Sequence, residues 1–295
     1  MTAVNRIAIL AVGLIGGSLA KALRAKGFAH EIVGWGRKEQ NLKKAVELSV
    51  IDSYSLDLAE AVKGADIIVV ATPTLIAADM LHRLAPLVSE STVITDVASV
   101  KGNLLAAAKQ AFGKVPANLV LGHPIAGSEQ SGVEAANADL YINHKVILTP
   151  SAETSEQALA LVKQMWQVTG ASLATMSVEE HDEVLAATSH LPHILAYALV
   201  DALAGREEQR KIFEYAAGGF RDFTRIASSD PKMWHDISLA NKPALLKMID
   251  VFSDQLAVLR GAIEESDSEA IMASFSRAKE GRDDFAKVLK KRQQG

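Results

Sequence analysis

The sequence predicts a doubly wound α/β sheet domain followed by an all-helical domain, and three observations carry that prediction. Short apolar runs suited to buried strands alternate with helix-spaced segments through the first half. A glycine-rich turn joins the first such run to the first helix. After Ser177 the strand signals cease, and alanine, leucine and charged residues recur at helical spacing. A chain of 295 residues suits two domains of about 150 residues each. The boundary is expected at residue 176, giving a 1–176 sheet domain and a 177–295 helical domain.

The first apolar run, Arg6 to Val12, reads as a buried strand and is followed at once by Gly13-Leu14-Ile15-Gly16-Gly17-Ser18. In the helix that begins there, Ile15, Leu19, Ala22 and Leu23 share a face, and Gly27 ends it. Strand, glycine turn and helix N-terminus form the setting in which backbone N–H groups receive a pyrophosphate, the Rossmann-type dinucleotide site. Gly13, Leu14, Ile15 and Gly16 are therefore candidate cofactor residues; a glycine-rich packing turn is the plainer alternative. The first glycine of the G-x-G-x-x-G pattern is Ala11 here, at a cost of about 1 kcal/mol if the turn takes a positive φ.

The second strand, Glu31 to Trp35, leads to Gly36-Arg37-Lys38, where a carboxylate would hydrogen-bond the ribose of NAD. That acid is missing and two cations stand in its place, which favours NADP or a relaxed choice between the two unless the turn is merely solvated. The βα rhythm continues through Ile51, a short helix over Leu58 to Val62 stopped by Gly64, and the strand Asp66 to Ala71. Ligands lie beyond the carboxyl ends of strands in such sheets. Thr72 and Pro73 are thus expected beside the cofactor, as are Ser99 and Lys101 within Asp96-Val97-Ala98-Ser99-Val100-Lys101-Gly102, although Ser99 could instead cap the helix starting near Asn103.

The strand Leu119 to Leu121 delivers Gly122-His123-Pro124-Ile125-Ala126-Gly127-Ser128-Glu129 to the same sheet edge. A histidine held in a fixed loop there is a candidate base, with Gly122 and Gly127 read as what lets the loop hold it. Further elements are a strand over Val146 to Pro150, a helix over Thr154 to Thr169 and a last strand over Ala171 to Met176.

In the second half, Val178 to Ala204 reads as one long helix or two divided at Pro192. The acidic run Glu179-Glu180-His181-Asp182-Glu183 suits the helix dipole. His190 and His193, three apart, share a face, but no obvious carboxylate completes a metal set, and no metal is expected. Gly218-Gly219-Phe220-Arg221-Asp222-Phe223-Thr224-Arg225 brings two arginines and an aspartate to aromatic rings. Arginine grips a planar carboxylate with paired donors, and a surface salt-bridge cluster is the alternative. Asp230-Pro231 reads as the cap and first position of a helix. Pro243 to Glu264 and Asp267 to Lys291 are helices with apolar stripes, suited to a homodimer interface.

Composition excludes several classes. The chain carries 31 Lys plus Arg against 35 Asp plus Glu, a formal charge of −4, so nucleic acid is not an expected partner. The absence of cysteine removes disulfides, thiolate metal sites and cysteine nucleophiles. No apolar run approaches the roughly 20 residues of a membrane helix and no signal peptide opens the chain, so no membrane association and a cytoplasmic location are expected. The basic run Lys287 to Arg292 reads as a solvated helix end.

Taken together, the glycine turn, Ser99-Val100-Lys101-Gly102, the His123 segment with Ser131-Gly132-Val133-Glu134, Ser189-His190-Leu191-Pro192-His193 and the Arg221–Arg225 segment make the chain resemble the prephenate and arogenate dehydrogenases of tyrosine biosynthesis, most of all the cyclohexadienyl dehydrogenase type. The resemblance spans nearly the whole length. It implies oxidative decarboxylation of a small-molecule cyclohexadiene with hydride transfer to NAD or NADP. By it His123 takes the ring hydroxyl's proton, Ser99 hydrogen-bonds nearby and Arg225 grips a substrate carboxylate. His193, Glu129, Ser128, Asp222 and Gly218 match the segments that place the substrate.

Two other readings compete. A β-hydroxyacid-type dehydrogenase would use Lys101 at the reacting centre and leave His123 and Arg225 without a role. A nucleotide-sensing protein without catalysis is suggested by Ala11 and would bind cofactor without turnover.

Overall fold

The computed structural model describes residues 4–127, 130–204 and 213–294, with side chains described as far as residue 288. Eight strands form one sheet in the order β3-β2-β1-β4-β5-β6-β7-β8. They are β1 (Val4–Leu10), β2 (Ala29–Trp35), β3 (Ser53–Ser55), β4 (Ile67–Val70), β5 (Val93–Asp96), β6 (Leu119–Ile125), β7 (Lys145–Thr149) and β8 (Ser172–Thr175). All neighbouring pairs are parallel except β6 and β7, which run antiparallel.

Alternation along each strand divides the interior into two layers. Ile7 and Ile9 of β1 and Ile67 and Val69 of β4 face one core, while Ala8, Leu10, Ile68 and Val70 face the other. Both faces are covered, which is why these strands read as unbroken apolar runs. The first layer is closed by α1 (Leu14–Ala25), α2 (Glu39–Glu47) and α6 (Glu156–Gln167), through Leu19 and Leu23, Leu42 and Ala45, and Val162, Met165 and Trp166. The second is closed by α3 (Leu58–Val62), α4 (Thr74–Leu84) and α5 (Gly102–Phe112), through Leu58, Met80, Leu84, Leu104 and Ala108. The doubly wound sheet expected from the sequence is therefore present.

Helix α7 (Val178–Leu185) runs into a wider π turn over Ala186–His190 and then into α8 (Leu191–Ala204). Pro192 would collide with the carbonyl four residues earlier in a regular helix. The extra residue of the π turn lies immediately before it, so the path bends around the proline without ending there. Then follow α9 (Gly218–Thr224), a 3₁₀ turn over Arg225–Ser228 and α10 (Pro231–Ala240). As expected, α10 is capped by Asp230, whose carboxylate accepts the Lys232 N–H at 2.9 Å, with Pro231 at the first position.

Residues 1–244 form one compact unit and 245–295 a second. The second consists of most of α11 (Lys242–Glu264) and of α12 (Ser268–Gln294). On these helices Val251, Leu256, Val258, Ile263, Met272 and Phe275 are exposed. Among the described residues no helix is long and apolar enough to cross a membrane.

Candidate active site

The carboxyl ends of β1, β2 and β4 border a cavity of about 250 Å³. Ala11, Trp35, Gly36, Arg37, Thr72 and Pro73 line it from the strand ends, and Ile76, Asp79 and Arg83 from α4. Ala11 takes a φ of +77°, the conformation in which a glycine carries no Cβ strain. Gly16 then comes so close that a Cβ on it would lie 2.5 Å from the Ala11 carbonyl oxygen and 2.9 Å from the Ile9 side chain. Gly13 caps α1 with no side-chain hydrogen bond and has open space in front of it. A buried Thr72 hydroxyl at the cavity finds no partner among the described residues. A bare helix N-terminus, an orphaned buried hydroxyl and a basic cavity at a sheet edge together fit a dinucleotide. Arg83 adds a guanidinium over the Trp35 ring, 5.0 Å from its centroid.

His123 lies farther along the same edge. It belongs to β6, paired with Ile147 of β7, and does not sit in a loop after Leu121 as expected. The antiparallel partner β7 carries the ladder past Leu121, while β5 pairs only with Leu119 and Val120. Pro124 follows where one side of β6 is open, the setting that tolerates a strand proline. Gly122 is held tightly: its N–H donates to Asp96 at 3.1 Å, and a Cβ would lie 3.2 Å from the Asp96 carbonyl oxygen. Gly127 has open space around the position of a Cβ and no positive φ, so it is not needed to hold the histidine.

Beneath His123 a set of buried polar groups is paired, while the buried Thr95 hydroxyl near Gly122 finds no partner among the described residues. Lys101 has no exposed surface; its ammonium is paired with Asp96 and donates to the Gly122 carbonyl at 2.7 Å. Burial lowers the Lys101 pKa against the opposing effect of Asp96. A lysine tied internally in this way ties β5 to β6 and leaves the β-hydroxyacid reading without its reacting group. The His123 Nδ1 lies 2.9 Å from His181 Nε2, and His181 Nδ1 lies 2.8 Å from Asp182 Oδ1. His123 is buried, and that burial, followed by the charge of Lys101 and by the protonated forms of His181 and His190, pushes its pKa well below the usual histidine value. A ring in this state is neutral and able to accept a proton at neutral pH.

The helices after β8 add a second group of rings. His193 stacks on Trp234 with centroids 3.6 Å apart, and its Nδ1 donates to the Ser189 carbonyl at 2.9 Å. Burial lowers its pKa, and the Arg225 charge acts in the same direction. His190 is buried against the edge of Trp234, 3.1 Å from the Asn241 amide. Among the described residues no group of three or more His, Cys, Asp or Glu could hold a metal ion.

Two family models match this architecture in sequence order. The nucleotide-binding domain of prephenate dehydrogenase matches residues 19–175, and the dimerization domain of prephenate dehydrogenase matches residues 177–277. The chain belongs to the prephenate dehydrogenase family. Among its relatives is the cyclohexadienyl dehydrogenase of Zymomonas mobilis subsp. mobilis, 36% identical over 285 residues that cover 96% of each chain. The prephenate dehydrogenase of Bacillus subtilis is 38% identical over 95% of this chain and 76% of its own. A crystal structure of prephenate dehydrogenase from Aquifex aeolicus, in complex with hydroxyphenyl propionate and NAD+, superposes with a TM-score of 0.89 at 38% identity, covering 96% of this chain and 99% of that one.

Within this family framework the structure brings Gly36, Arg37, Thr72 and Pro73 to the cavity, with Ala11. Gly13, Leu14, Ile15 and Gly16 form the turn and first residues of α1, and Lys38 caps α2. Ser99 is half-buried in the β5–α5 loop; it does not cap α5, because Asp182 occupies that role. Gly218 opens α9, and Arg225 begins the following 3₁₀ turn. Asp222 is exposed and pairs with its neighbour Arg221 at 3.2 Å, the surface salt bridge weighed as an alternative. Ser128 and Glu129 lie outside the described residues.

Sequence reasoning missed Arg83, Asp79 and Ile76, which share one face of α4 at helical spacing. It also reads His181 and Asp182 only as part of an acidic run that suits the helix dipole. The signal was their phase: Val178, His181, Asp182 and Leu185 are the buried residues of α7, while Glu179, Glu180 and Glu183 are exposed.

Proposed function

We propose that this chain catalyses the oxidative decarboxylation of prephenate, arogenate or both, giving 4-hydroxyphenylpyruvate from the first and tyrosine from the second. The observation that carries this reading is a neutral, buried His123 at the carboxyl edge of a dinucleotide-binding sheet in a chain of the prephenate dehydrogenase family. A nicotinamide dinucleotide, when bound, accepts hydride. His123 removes the ring hydroxyl's proton as hydride leaves the same carbon, and the ring carboxylate departs as carbon dioxide when the ring becomes aromatic. Ser99 hydrogen-bonds beside the reacting hydroxyl. Arg225 binds a substrate carboxylate, and His193, Gly218, Asp222, Ser128 and Glu129 place the rest of the substrate. The division into a nucleotide-binding domain over 1–176 and a helical domain over 177–295 is part of the same reading.

Gly13, Leu14, Ile15 and Gly16 hold the pyrophosphate, with Thr72 and Pro73 alongside. Gly36, Arg37 and Lys38 meet the adenine ribose. The absence of an acid at Gly36 and the presence of both Arg37 and Arg83 at the cavity favour NADP, although the Aquifex aeolicus relative was crystallised with NAD+. The exposed apolar side chains of α11 and α12, and a family domain described as a dimerization domain, support a homodimer. A cytoplasmic location suits a biosynthetic enzyme of this kind.

The test is direct. Purified protein is mixed with prephenate or arogenate and with NAD or NADP, and reduced nicotinamide is followed by absorbance. Turnover of at least one substrate is expected, with a higher kcat/KM for NADP than for NAD; silence with both substrates overturns the reading. Equal or greater efficiency with NAD removes the cofactor preference alone. Solution mass measured by light scattering checks the dimer.

A further inference from the structure

Four hydrogen bonds lead from the N-terminus of α5 through Asp182 and His181 to His123, and the direction at each step fixes the next. Asp182 receives the backbone N–H of Lys101 at 2.9 Å and of Gly102 at 2.8 Å. Burial opposes its charge, but the His181 hydrogen bond and these two amides outweigh it and hold the carboxyl below its usual range. An ionised carboxylate has no proton to donate, so His181 Nδ1, 2.8 Å away, carries one. A neutral His181 then has its lone pair on Nε2, which faces His123 Nδ1 at 2.9 Å. That bond also needs a donor, and His123 supplies it.

We propose that His181 and Asp182 are a positioning pair that holds His123 as its Nδ1–H tautomer, leaving Nε2 as the atom that accepts the substrate's proton. This rests on the reading of His123 as the base. The arrangement follows the logic of a base oriented by a carboxylate, with a second imidazole between them. His181 has no exposed surface, and a buried imidazole with unpaired nitrogens costs free energy; here both nitrogens are engaged. Asn241 holds the pair from its other side, donating to the Asp182 backbone carbonyl at 2.8 Å. When His123 takes up a proton, its Nδ1–H still points through His181 to a negative charge, so the imidazolium is stabilised in a site that otherwise resists it.

The first experiment needs no substrate. In protein labelled with ¹⁵N-histidine, ring-nitrogen correlation spectra at neutral pH are assigned to His123 by their loss in His123→Gln. A protonated Nδ1 and a bare Nε2 are expected; a proton on Nε2 of His123 overturns the proposal. The second uses variants. His181→Leu removes the acceptor and should lower kcat by roughly 100-fold with KM values within about two-fold, while His181→Gln, whose amide oxygen accepts, restores part of the loss. Asp182→Asn offers an N–H to His181, reverses the chain of donors and should move the His123 proton to Nε2. Wild-type kcat in His181→Leu also overturns the proposal. If the wild-type protein turns over neither substrate, the functional reading fails while the ring spectra still decide the tautomer.

Discussion

Ala11 and Gly16 meet at the turn between β1 and α1, where a Cβ on Gly16 would stand 2.5 Å from the Ala11 carbonyl oxygen. Ala11 holds that turn at a φ of +77°, so the expected strain is present in the residue that replaces the first glycine of the motif. Ala11→Gly should stabilise the fold by about 1 kcal/mol, less the part returned by greater freedom of the unfolded chain. Gly16→Ala should separate helix from strand and weaken cofactor binding. Urea midpoints and cofactor titrations of both variants check this; a destabilised Ala11→Gly would contradict it.

His123→Asn keeps a side-chain hydrogen-bonding group but removes the base. Turnover should fall by roughly 100-fold or more while cofactor affinity is retained. In the wild-type protein, burial first and then Lys101, His181 and His190 depress the His123 pKa. The acid limb of kcat/KM assigned to this group should therefore lie below the ordinary histidine value of about 6.5. A limb at or above that value, lost in His123→Asn, would contradict the depressed base.

These predictions draw on two kinds of contact, and the sequence displays them unequally. The β1 turn is legible because its glycines act within a few residues: Gly16 packs tightly against the turn, and Gly27, at a positive φ, follows the end of α1 as expected. Helix α10 was legible for the same reason, with Asp230 and Pro231 adjacent. The sequence marks His123 but predicts a loop around it, because its strand extends only through pairing with β7, more than 20 residues onward. His181 reaches His123 across 58 residues, and the acids around it obscured a helical phase that was present. Arg83 was missed because its role depends on α4 returning across the end of β2.

Arg225 offers a prediction of a different kind. Its charge is felt at His193, whose ring stacks on Trp234, so the guanidinium and this aromatic pair belong to one neighbourhood. If it holds a substrate carboxylate, Arg225→Met should raise the substrate KM by roughly 10- to 100-fold, the equivalent of a charged hydrogen bond of about 1.5–3 kcal/mol. The effect on kcat should be smaller. Steady-state kinetics separate the two, and a change confined to kcat would contradict a binding role.

Acid stability follows from two of the buried histidines, His123 and His190. Burial lowers the His190 pKa to about 4, and the His123 pKa is depressed in the same direction. Because an unfolded histidine titrates near 6.5, the unfolded chain binds more protons than the folded one between about pH 6.5 and about pH 4. The His190 contribution is fully present above about pH 6.5 and is lost as pH falls through that window, and the His123 contribution is lost in the same direction as pH falls. For His190 alone the loss is on the order of 3 kcal/mol. The urea midpoint, measured at one fixed protein concentration, should drop steeply from about pH 7 to about pH 4.5. His190→Gln removes one titrating ring and should flatten that slope; an unchanged slope would place the acid sensitivity elsewhere.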